Sequence, residues 1–198
     1  MNHDSDHDHN IPIWDDKNAE WYAAEYGDHI SNALTIEHAG LKIDDDLLDI
    51  GCGSGTACRE AEKIITNGTI IGMDPTAAMI RIANEKTSTE KIQFIEGSVE
   101  NIPMNDKSIT ICTAINSLHH WSDYKKGFAE VLRILKQQGR FIISDEIVAG
   151  DSCGHGDGPL AKTENVQIEM KSAGFVNVSL EIHEENGEGI YLFNAEKN

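Results

Sequence analysis

The stretch that decides the fold is LLDIGCGSGT, residues 47–56, in which an apolar run leads directly into alternating glycines. Gly51, Gly53 and Gly55 take positions where a backbone turns sharply, or where a ligand lies against it with no Cβ in between. A helix that starts just behind such a loop offers unpaired N–H groups and a positive potential to an anionic ligand group. The stretch therefore predicts a strand, a ligand-binding loop and a helix, in that order.

The spacing of the glycines separates this loop from a dinucleotide-binding fingerprint. The fingerprint GxGxxG requires a glycine where this sequence has Thr56. Asp49 stands just before the first glycine, and a carboxylate at that point repels a pyrophosphate but attracts an ammonium. The pattern therefore favours the zwitterionic end of an amino acid over a diphosphate as the ligand of this loop.

An acidic residue also ends the second predicted strand. Asp74 follows the apolar run at residues 69–73. A carboxylate at this position of a Rossmann-like unit accepts hydrogen bonds from both hydroxyls of a ribose. Asp74 can equally cap the helix that begins at Pro75, and the sequence leaves both roles open.

Outward from the loop, short apolar strands alternate with helical patterns. Strands joined by helices form a mostly parallel sheet that is covered on both faces. The expected fold class is α/β, a Rossmann-like three-layer sandwich. The predicted strands span residues 46–50, 69–73, 92–95, 109–115 and 140–144, and the predicted helices span 56–65, 77–85 and 124–136.

The end of the chain departs from this alternation. A predicted helix at 162–173 stops at Gly174, a residue type that favours the left-handed conformation of a helix end. Two apolar segments follow, at 176–182 and 189–195, with EENG (184–187) between them. Strands joined by Asn-Gly predict an antiparallel hairpin, which an ordinary dinucleotide dehydrogenase half lacks.

The N-terminal part precedes the predicted core. Residues 1–10 (MNHDSDHDHN) predict a disordered acidic, histidine-rich tail. Residues 11–39 carry one or two helices, and we expect them to form a lid over the substrate end of the site. The alternative is a helix that covers one edge of the sheet. The aromatic residues that favour the lid are Trp14, Trp21, Tyr22 and Tyr26.

Charge and composition exclude several classes of protein. With 16 Lys and Arg against 34 Asp and Glu, the formal charge is −18, which repels nucleic-acid phosphates and anionic lipid. No apolar run approaches the roughly 20 residues of a membrane helix. The polar N-terminus does not resemble a secretory signal, so we expect a cytoplasmic protein without membrane insertion. Cys52, Cys58 and Cys112 lie in predicted regular structure and are expected to be buried free thiols.

Residues 43–148 resemble the core of class I (Rossmann-like) S-adenosylmethionine-dependent methyltransferases, in particular the small-molecule group of menaquinone and ubiquinone C-methyltransferases. The resemblance covers about three quarters of the chain. It implies one domain over 11–198 and a seven-stranded sheet with one antiparallel strand, and residues 149–198 then form the substrate loop, last helix and hairpin. The matching motifs are LLDIGCGSGTACREA, IIGMDPTAAMIRIANEK, IQFIEGSVENIPM, ITICTAINSLHHW, GRFIISDE, MKSAGFVNVSLEIHEE and GIYLFNAEK.

The resemblance also implies roles for individual residues around bound S-adenosylmethionine. Asp74 would hold the ribose, and Asn116 would lie near the reactive methyl group. Ser98 stands where the family often has an aspartate that accepts from the adenine amino group, so Ser98→Asp is expected to leave binding unchanged or to tighten it. The residues expected at the methionyl end are Asp49, Gly51, Gly53 and Gly55, and those expected at the adenine are Pro75, Met79, Ser98 and Val99.

Candidates for acid–base catalysis follow the fourth and fifth predicted strands. His119 and His120 are adjacent, so at most one of them points into a single pocket, and we select His120 as a general base. Asp145 and Glu146 end the fifth strand and compete for the same role.

We expect no metal site. Cys153 and His155 provide too few ligands within the glycine-rich loop 150–159, where substrate contacts are expected instead. The tail histidines could bind a divalent cation, although a disordered acidic tail is the favoured interpretation. They are His3, His7 and His9.

The sequence thus favours transfer of a methyl group from S-adenosylmethionine to a small molecule by in-line displacement. The alternative is a non-catalytic module that binds the cofactor or another nucleoside. A nicotinamide oxidoreductase is disfavoured by Thr56, by Asp49 and by the terminal hairpin. The identity of the acceptor, the atom that is methylated, the use of a general base and the oligomeric state stay open.

Overall fold

The computed structural model describes residues 15–148, 152–153, 160, 162–185 and 187–198. The predicted tail at 1–10 and most of the predicted loop at 150–159 lie outside these residues. The helices are α1 Asp16–Glu25, α2 Ile30–His38, α3 Thr56–Glu62, α4 Ala77–Lys86, α5 Tyr124–Ile134 and α6 Thr163–Ala173. The strands are β1 Leu47–Ile50, β2 Ile70–Asp74, β3 Ile92–Glu96, β4 Ile109–Ile115, β5 Leu135–Val148, β6 Ser152–Cys153, β7 Phe175–Glu185 and β8 Glu188–Lys197.

The strands form one main sheet in the order β3-β2-β1-β4-β5-β8-β7. The first five in this order pair in parallel, whereas β8 pairs antiparallel with β5 and β7. The short β6 adds an antiparallel pairing to the end of β5. The predicted seven-stranded sheet with one antiparallel strand is therefore confirmed. Because the strand order reverses between β1 and β4, a crevice opens at the carboxyl ends of these strands.

Both faces of the sheet are covered, since neighbouring residues of each central strand pack into opposite apolar clusters. Leu47 and Ile142 lie in the cluster under α2 and α3, whereas Leu48 and Ile143 lie in the cluster under α5 and α6. Successive side chains of a strand point to opposite faces of the sheet, so a strand that is covered on both sides needs apolar residues at consecutive positions. The β1 residues are accordingly all buried.

The predicted N-terminal lid contains two helices with different surroundings. Leu34 and Ile36 of α2 belong to the core cluster, and Thr35 Oγ1 lies 2.5 Å from Ser144 Oγ of β5. α2 therefore packs on a face of the sheet, and the lid over residues 11–39 stays a prediction. By contrast, α1 packs on α4 through the small side chains of Ala19 and Ala23.

The boundaries of several elements differ from the sequence-based expectation. The fifth strand begins at Leu135 rather than at Arg140, because α5 ends at Ile134 and the chain bulges before it pairs regularly with β4. Gln138 takes a positive φ of 60° within this bulge. The hairpin is longer than predicted, with Glu185 paired to Glu188 across the Asn-Gly turn.

None of the helices in the described part of the chain combines the length and apolar character that crossing a membrane requires. Cys52, Cys58 and Cys112 are free and buried, as predicted.

Candidate active site

A cleft with about 790 Å³ of empty space lies at the carboxyl ends of β1, β2, β4 and β5. A neighbouring cavity of about 610 Å³ shares part of its wall. The four residues common to both walls are Gly51, Pro75, Ser117 and His120. The two cavities therefore lie side by side over the strand ends, where the reversal of strand order places a crevice.

The three glycines of the loop all have positive φ values, but a Cβ at each position would meet different surroundings. A Cβ on Gly51 would lie 2.6 Å from the Cβ of Ser117, whereas a Cβ on Gly53 would meet no atom within 4 Å. Gly51 and Gly53 both line the cleft. A Cβ on Gly55 would lie 2.5 Å from the ring of Phe94, so this glycine permits close packing of α3 on the sheet. Gly55 was predicted to contact the methionyl end of the cofactor, but it lines neither cavity.

Asp74 accepts backbone hydrogen bonds at the start of α4 and also lines the cleft, where its role toward a ribose stays a prediction. Its Oδ2 accepts the backbone N–H of Gly53 at 3.0 Å, and its Oδ1 accepts the N–H of Thr76 at 2.8 Å. The residue is 7% exposed, yet it lines the cleft. Burial raises the pKa of this carboxyl, against the opposing effect of these hydrogen bonds. The carboxylate thus fixes the loop to β2 while it faces the ligand space.

Asp49 does not reach the cleft, in contrast to its predicted place at the methionyl end. Its carboxylate is 2% exposed and accepts a hydrogen bond from Thr113 Oγ1 at 2.7 Å. Cys58 Sγ lies 3.8 Å from the second oxygen. Because side chains alternate along a strand, Asp49 points under α3 rather than toward the strand end. Burial raises its pKa to about 6.

The predicted adenine residues divide between the two cavities. Pro75 and Met79 line the main cleft, and Ser98 and Val99 line the neighbouring cavity. The Ser98 hydroxyl donates to the carboxylate of Glu100, a residue that sequence reasoning did not select. Glu100 therefore supplies a carboxylate at this edge of the cavity, two residues after the position where the family often has an aspartate. The sequence signal for it was its place two residues after Ser98, in the short helix Val99–Asn101.

Asn116 lies where β4 ends and lines the cleft, with a positive φ of 48°. Its Nδ2 donates to Glu146 Oε1 at 2.8 Å and to Ser31 Oγ at 2.9 Å. Its Oδ1 accepts the backbone N–H of Glu146 at 3.1 Å. Asn116 therefore ties the ends of β4 and β5 to the first turn of α2.

The adjacent histidines have different surroundings, although their ring centroids lie only 4.1 Å apart. His120 lines both cavities, whereas His119 Nδ1 lies 3.3 Å from the buried Asp145. Glu146, the neighbour of Asp145, turns into the cleft, where His29 Nδ1 lies 3.1 Å from its Oε1. His29 was not selected from the sequence, because only the fold brings the start of α2 to the end of β5.

The aromatic residues of α1 differ in their relation to the cleft. Tyr22 and Tyr26 line it with ring centroids 5.1 Å apart, and Trp21 packs edge-on against Tyr26 from outside. Burial first, and then the charge of Glu146, raises the pKa of Tyr22 to about 12. The structure thus brings two of the three predicted lid residues to the site.

Within the described residues no group of three or more potential metal ligands lies together. His155 and the tail histidines His3, His7 and His9 lie outside those residues, and so does the side-chain environment of Cys153.

Comparisons with known proteins agree with this architecture. Residues 48–143 match the family model described as "Methyltransferase domain". The chain is 33% identical over 140 residues to the uncharacterized methyltransferase YcgJ of Bacillus subtilis, covering 68% of this chain and 54% of that protein. It is 28% identical over 140 residues to the 2-phytyl-1,4-naphtoquinone methyltransferase of Trichormus variabilis, covering 68% of this chain and 60% of that protein.

Solved structures share the fold at low sequence identity. A SAM-dependent methyltransferase from Aquifex aeolicus superimposes with a TM-score of 0.76 at 18% identity, covering 93% of this chain and all (100%) of that one. Phosphoethanolamine N-methyltransferase 2 of Haemonchus contortus, solved with phosphomonomethylethanolamine and S-adenosylhomocysteine, gives a TM-score of 0.74 at 17% identity. The match covers 92% of this chain and 57% of that chain.

The fold and the loop at the strand ends define a Rossmann-like methyltransferase domain. Residues 48–143 carry a methyltransferase domain, and the chain is similar to S-adenosylmethionine-dependent methyltransferases, as the resemblance of its motifs predicted. It spans 54% and 60% of the lengths of the two curated relatives named above.

The raised pKa of Asp49 predicts how stability depends on pH. Between its ordinary value of 3.8 and about 6, the folded state holds a proton that the unfolded state has lost, so rising pH destabilises the parent. Relative to the parent, Asp49→Asn should therefore gain up to about 3 kcal/mol in unfolding free energy from pH 4 to pH 7. Denaturant unfolding at both pH values measures the difference.

The matched control is Asp46→Asn on the preceding residue. Asp46 has a lowered pKa, despite partial burial, because Lys136 and Thr69 donate hydrogen bonds to it. This variant should lose stability relative to the parent only as pH rises through the range below about 3.8, so between pH 4 and pH 7 its difference from the parent should stay nearly constant. A pH-independent difference for Asp49→Asn would contradict the assigned ionisation.

The contact between Ser98 and Glu100 reverses the expectation for Ser98→Asp. An aspartate at 98 places a second carboxylate against that of Glu100, and like charges at contact distance repel. Ser98→Asp should therefore weaken binding of S-adenosylmethionine, and adding Glu100→Gln should restore it. Calorimetric titration of both variants, with Glu100→Gln alone as the control, measures the effect. Unchanged or tighter binding by Ser98→Asp would support the original expectation from the sequence.

Proposed function

We propose that the protein transfers the methyl group of S-adenosylmethionine to a small-molecule acceptor by in-line displacement. The observation that carries the proposal is the Asp74 carboxylate, which faces the cleft while it holds the loop at Gly53. The methyltransferase domain matched by residues 48–143 and the similarity to methyltransferases support the same activity.

The residues around the cleft fit the parts of S-adenosylmethionine. Asp74 has the chemistry to accept from ribose hydroxyls, and Gly53 leaves open space where a methionyl chain would lie against the backbone. Pro75 and Met79 offer apolar surface, and Ser98 offers a hydroxyl at the proposed adenine end. The cofactor supplies a methyl group on a positive sulfur, which becomes neutral when the methyl leaves.

The chain contributes mainly by positioning the reactants and by excluding water. Holding an acceptor in line with a methyl group is worth up to roughly 7–11 kcal/mol of the barrier. Tyr22 of α1 and Tyr26, the residue after α1 ends, line the cleft, so we assign them the role of a lid. His120 and Glu146 face the cleft and can accept a proton from an acceptor that must lose one.

The proposal extends to the setting in which the protein works. The formal charge of −18 disfavours nucleic acid as the acceptor. Three buried free thiols are compatible with a reducing compartment, and we propose a cytoplasmic location.

The cofactor assignment predicts the effect of removing the Asp74 carboxylate. A hydrogen bond to a charged group is worth roughly 1.5–3 kcal/mol, so Asp74→Ala should lower the affinity for S-adenosylmethionine at least about tenfold. The parent should bind no NAD. Calorimetry on the parent, on Asp74→Ala and on the exposed control Asp44→Ala tests both statements, and equal affinity of all three proteins would falsify the assignment. A parent that binds the cofactor but methylates no acceptor would favour the non-catalytic module.

The lid assignment predicts the effect of removing α1. Deletion of residues 1–28 should abolish turnover and acceptor binding while a cooperative unfolding transition survives, because the core helix α2 stays in place. Tyr22→Ala should reduce turnover more than Trp21→Ala, whose ring lies on the same helix but outside the cleft. Turnover with methyl-labelled cofactor and thermal unfolding are the two measurements. Normal turnover by the truncated protein would disprove the lid, and loss of folding would make α1 part of the core.

A further inference from the structure

One group of residues in the wall of the cleft has a distinct chemical character. We call it the acceptor end, and define it as Tyr22, Tyr26, His29, Asn32, His120 and Glu146. It combines two phenol rings, two imidazoles, an amide and a carboxylate. Glu146 is the only one of these groups that carries a full charge irrespective of histidine protonation at neutral pH.

No lysine or arginine lines either cavity among the described residues. The undescribed segments cannot supply one, because all 16 Lys and Arg of the sequence lie in the described ranges 15–148 and 162–197. Those segments contain aspartates instead, at positions 4, 6, 8, 151 and 157. Whatever position they take, they add no positive side chain of these two types to the site.

Three cationic side chains near the loop and α1 have hydrogen-bond or ion-pair partners of their own. Arg59 donates to the backbone oxygen of Ser54 at 2.8 Å, and Lys86 donates to that of Ala23 at 3.3 Å. Arg81 forms ion pairs with glutamates on the outer side of α1 and α4. Arg59 also donates to Oγ1 of the cleft residue Thr56 at 2.8 Å, but none of these three cationic side chains itself lines either cavity.

The negative charge at the acceptor end is held in place. Asn116 donates to Glu146 Oε1 at 2.8 Å from the end of β4, and His29 Nδ1 lies 3.1 Å from the same oxygen. The carboxylates of Glu146, Asp74 and Asp145 all act, after burial, to raise the pKa of Tyr22. The field within the cleft is therefore negative where the rings of Tyr22 and Tyr26 line it.

A carboxylate beside aromatic faces is a recognition site for organic cations. The faces of aromatic rings attract ammonium groups, and the attraction grows when water is excluded. A carboxylate or phosphate on the acceptor would instead face the Glu146 carboxylate with no lysine or arginine side chain to neutralise it, which is unfavourable in a partly buried site.

We propose that the methyl acceptor carries a basic nitrogen, which binds as an ammonium between Glu146 and the rings of Tyr22 and Tyr26. The proposal rests on the proposed function, and it selects amines over the anionic acceptors that this fold could otherwise admit. It also separates this chain from a site built for a neutral quinone, for which a fixed carboxylate offers no advantage.

The test uses matched small molecules that differ only in charge. An amine, an alcohol and a carboxylate are prepared on each of three scaffolds (phenylethyl, imidazolylethyl and butyl), and their binding to the full chain saturated with S-adenosylhomocysteine is measured by calorimetry. The best amine should bind at least about tenfold tighter than its carboxylate, as one hydrogen bond to a charged group implies. An alcohol or carboxylate that binds as tightly as its amine, or the failure of every amine, overturns the proposal.

The variant Glu146→Gln keeps the shape of the side chain and removes its charge. It should reduce the preference for amine over alcohol about tenfold or more, whereas the exposed control Glu90→Gln should leave it unchanged. A preference that survives Glu146→Gln overturns the role of this carboxylate. Titration with S-adenosylhomocysteine alone distinguishes a failure of the proposed function from a failure of the proposed acceptor class. A parent protein that does not bind it refutes the proposed function, whatever the acceptor is.

Discussion

The site depends on the hydrogen bonds that the Asp74 carboxylate accepts from the backbone of Gly53 and Thr76. They join the loop after β1 to the end of β2 and to the start of α4, and they satisfy N–H groups that would otherwise be buried without partners. Since an unsatisfied buried donor costs about 1–3 kcal/mol, the carboxylate stabilises the loop in the conformation that leaves the cleft open. The group proposed to bind the ribose is therefore also the one that shapes the binding site.

Asp49 and Asp74 illustrate how position within a strand decides the role of a carboxylate. Both are buried acids at the carboxyl side of neighbouring parallel strands, and burial raises the pKa of both. Asp74 is the last residue of its strand and faces the ligand space, whereas Asp49 lies one residue before the end of β1 and points under α3. Asp49 thus lies in the interior beneath the loop. Burial disfavours its charged form, and the contacts with Thr113 and Cys58 offset this effect only in part.

The polar contacts at the other side of the cleft join the core to the proposed acceptor end. Asn116 binds both Ser31 at the start of α2 and Glu146 at the end of β5. Because α2 is packed into the sheet through Leu34 and Ile36, this side of the site is built on the core. Tyr22, which also lines the cleft, belongs to α1, and α1 rests on α4 through small side chains. The proposed lid is thus attached by a contact of its own, which suits a site that must admit an acceptor and then exclude water.

The sequence by itself determined the α/β alternation, the antiparallel hairpin and the glycine loop, because these depend on local periodicity and on residues such as Gly51 and Gly53 whose backbone conformation few others adopt. It also located Asp74, since the end of a strand is visible in an apolar run. Only the tertiary structure decided that Asp49 is turned away, that Gly55 serves packing, and that Glu100 supports Ser98. It alone brought His29 to Glu146, because contacts between distant elements depend on how helices and strands pack, and no spacing along the chain records them.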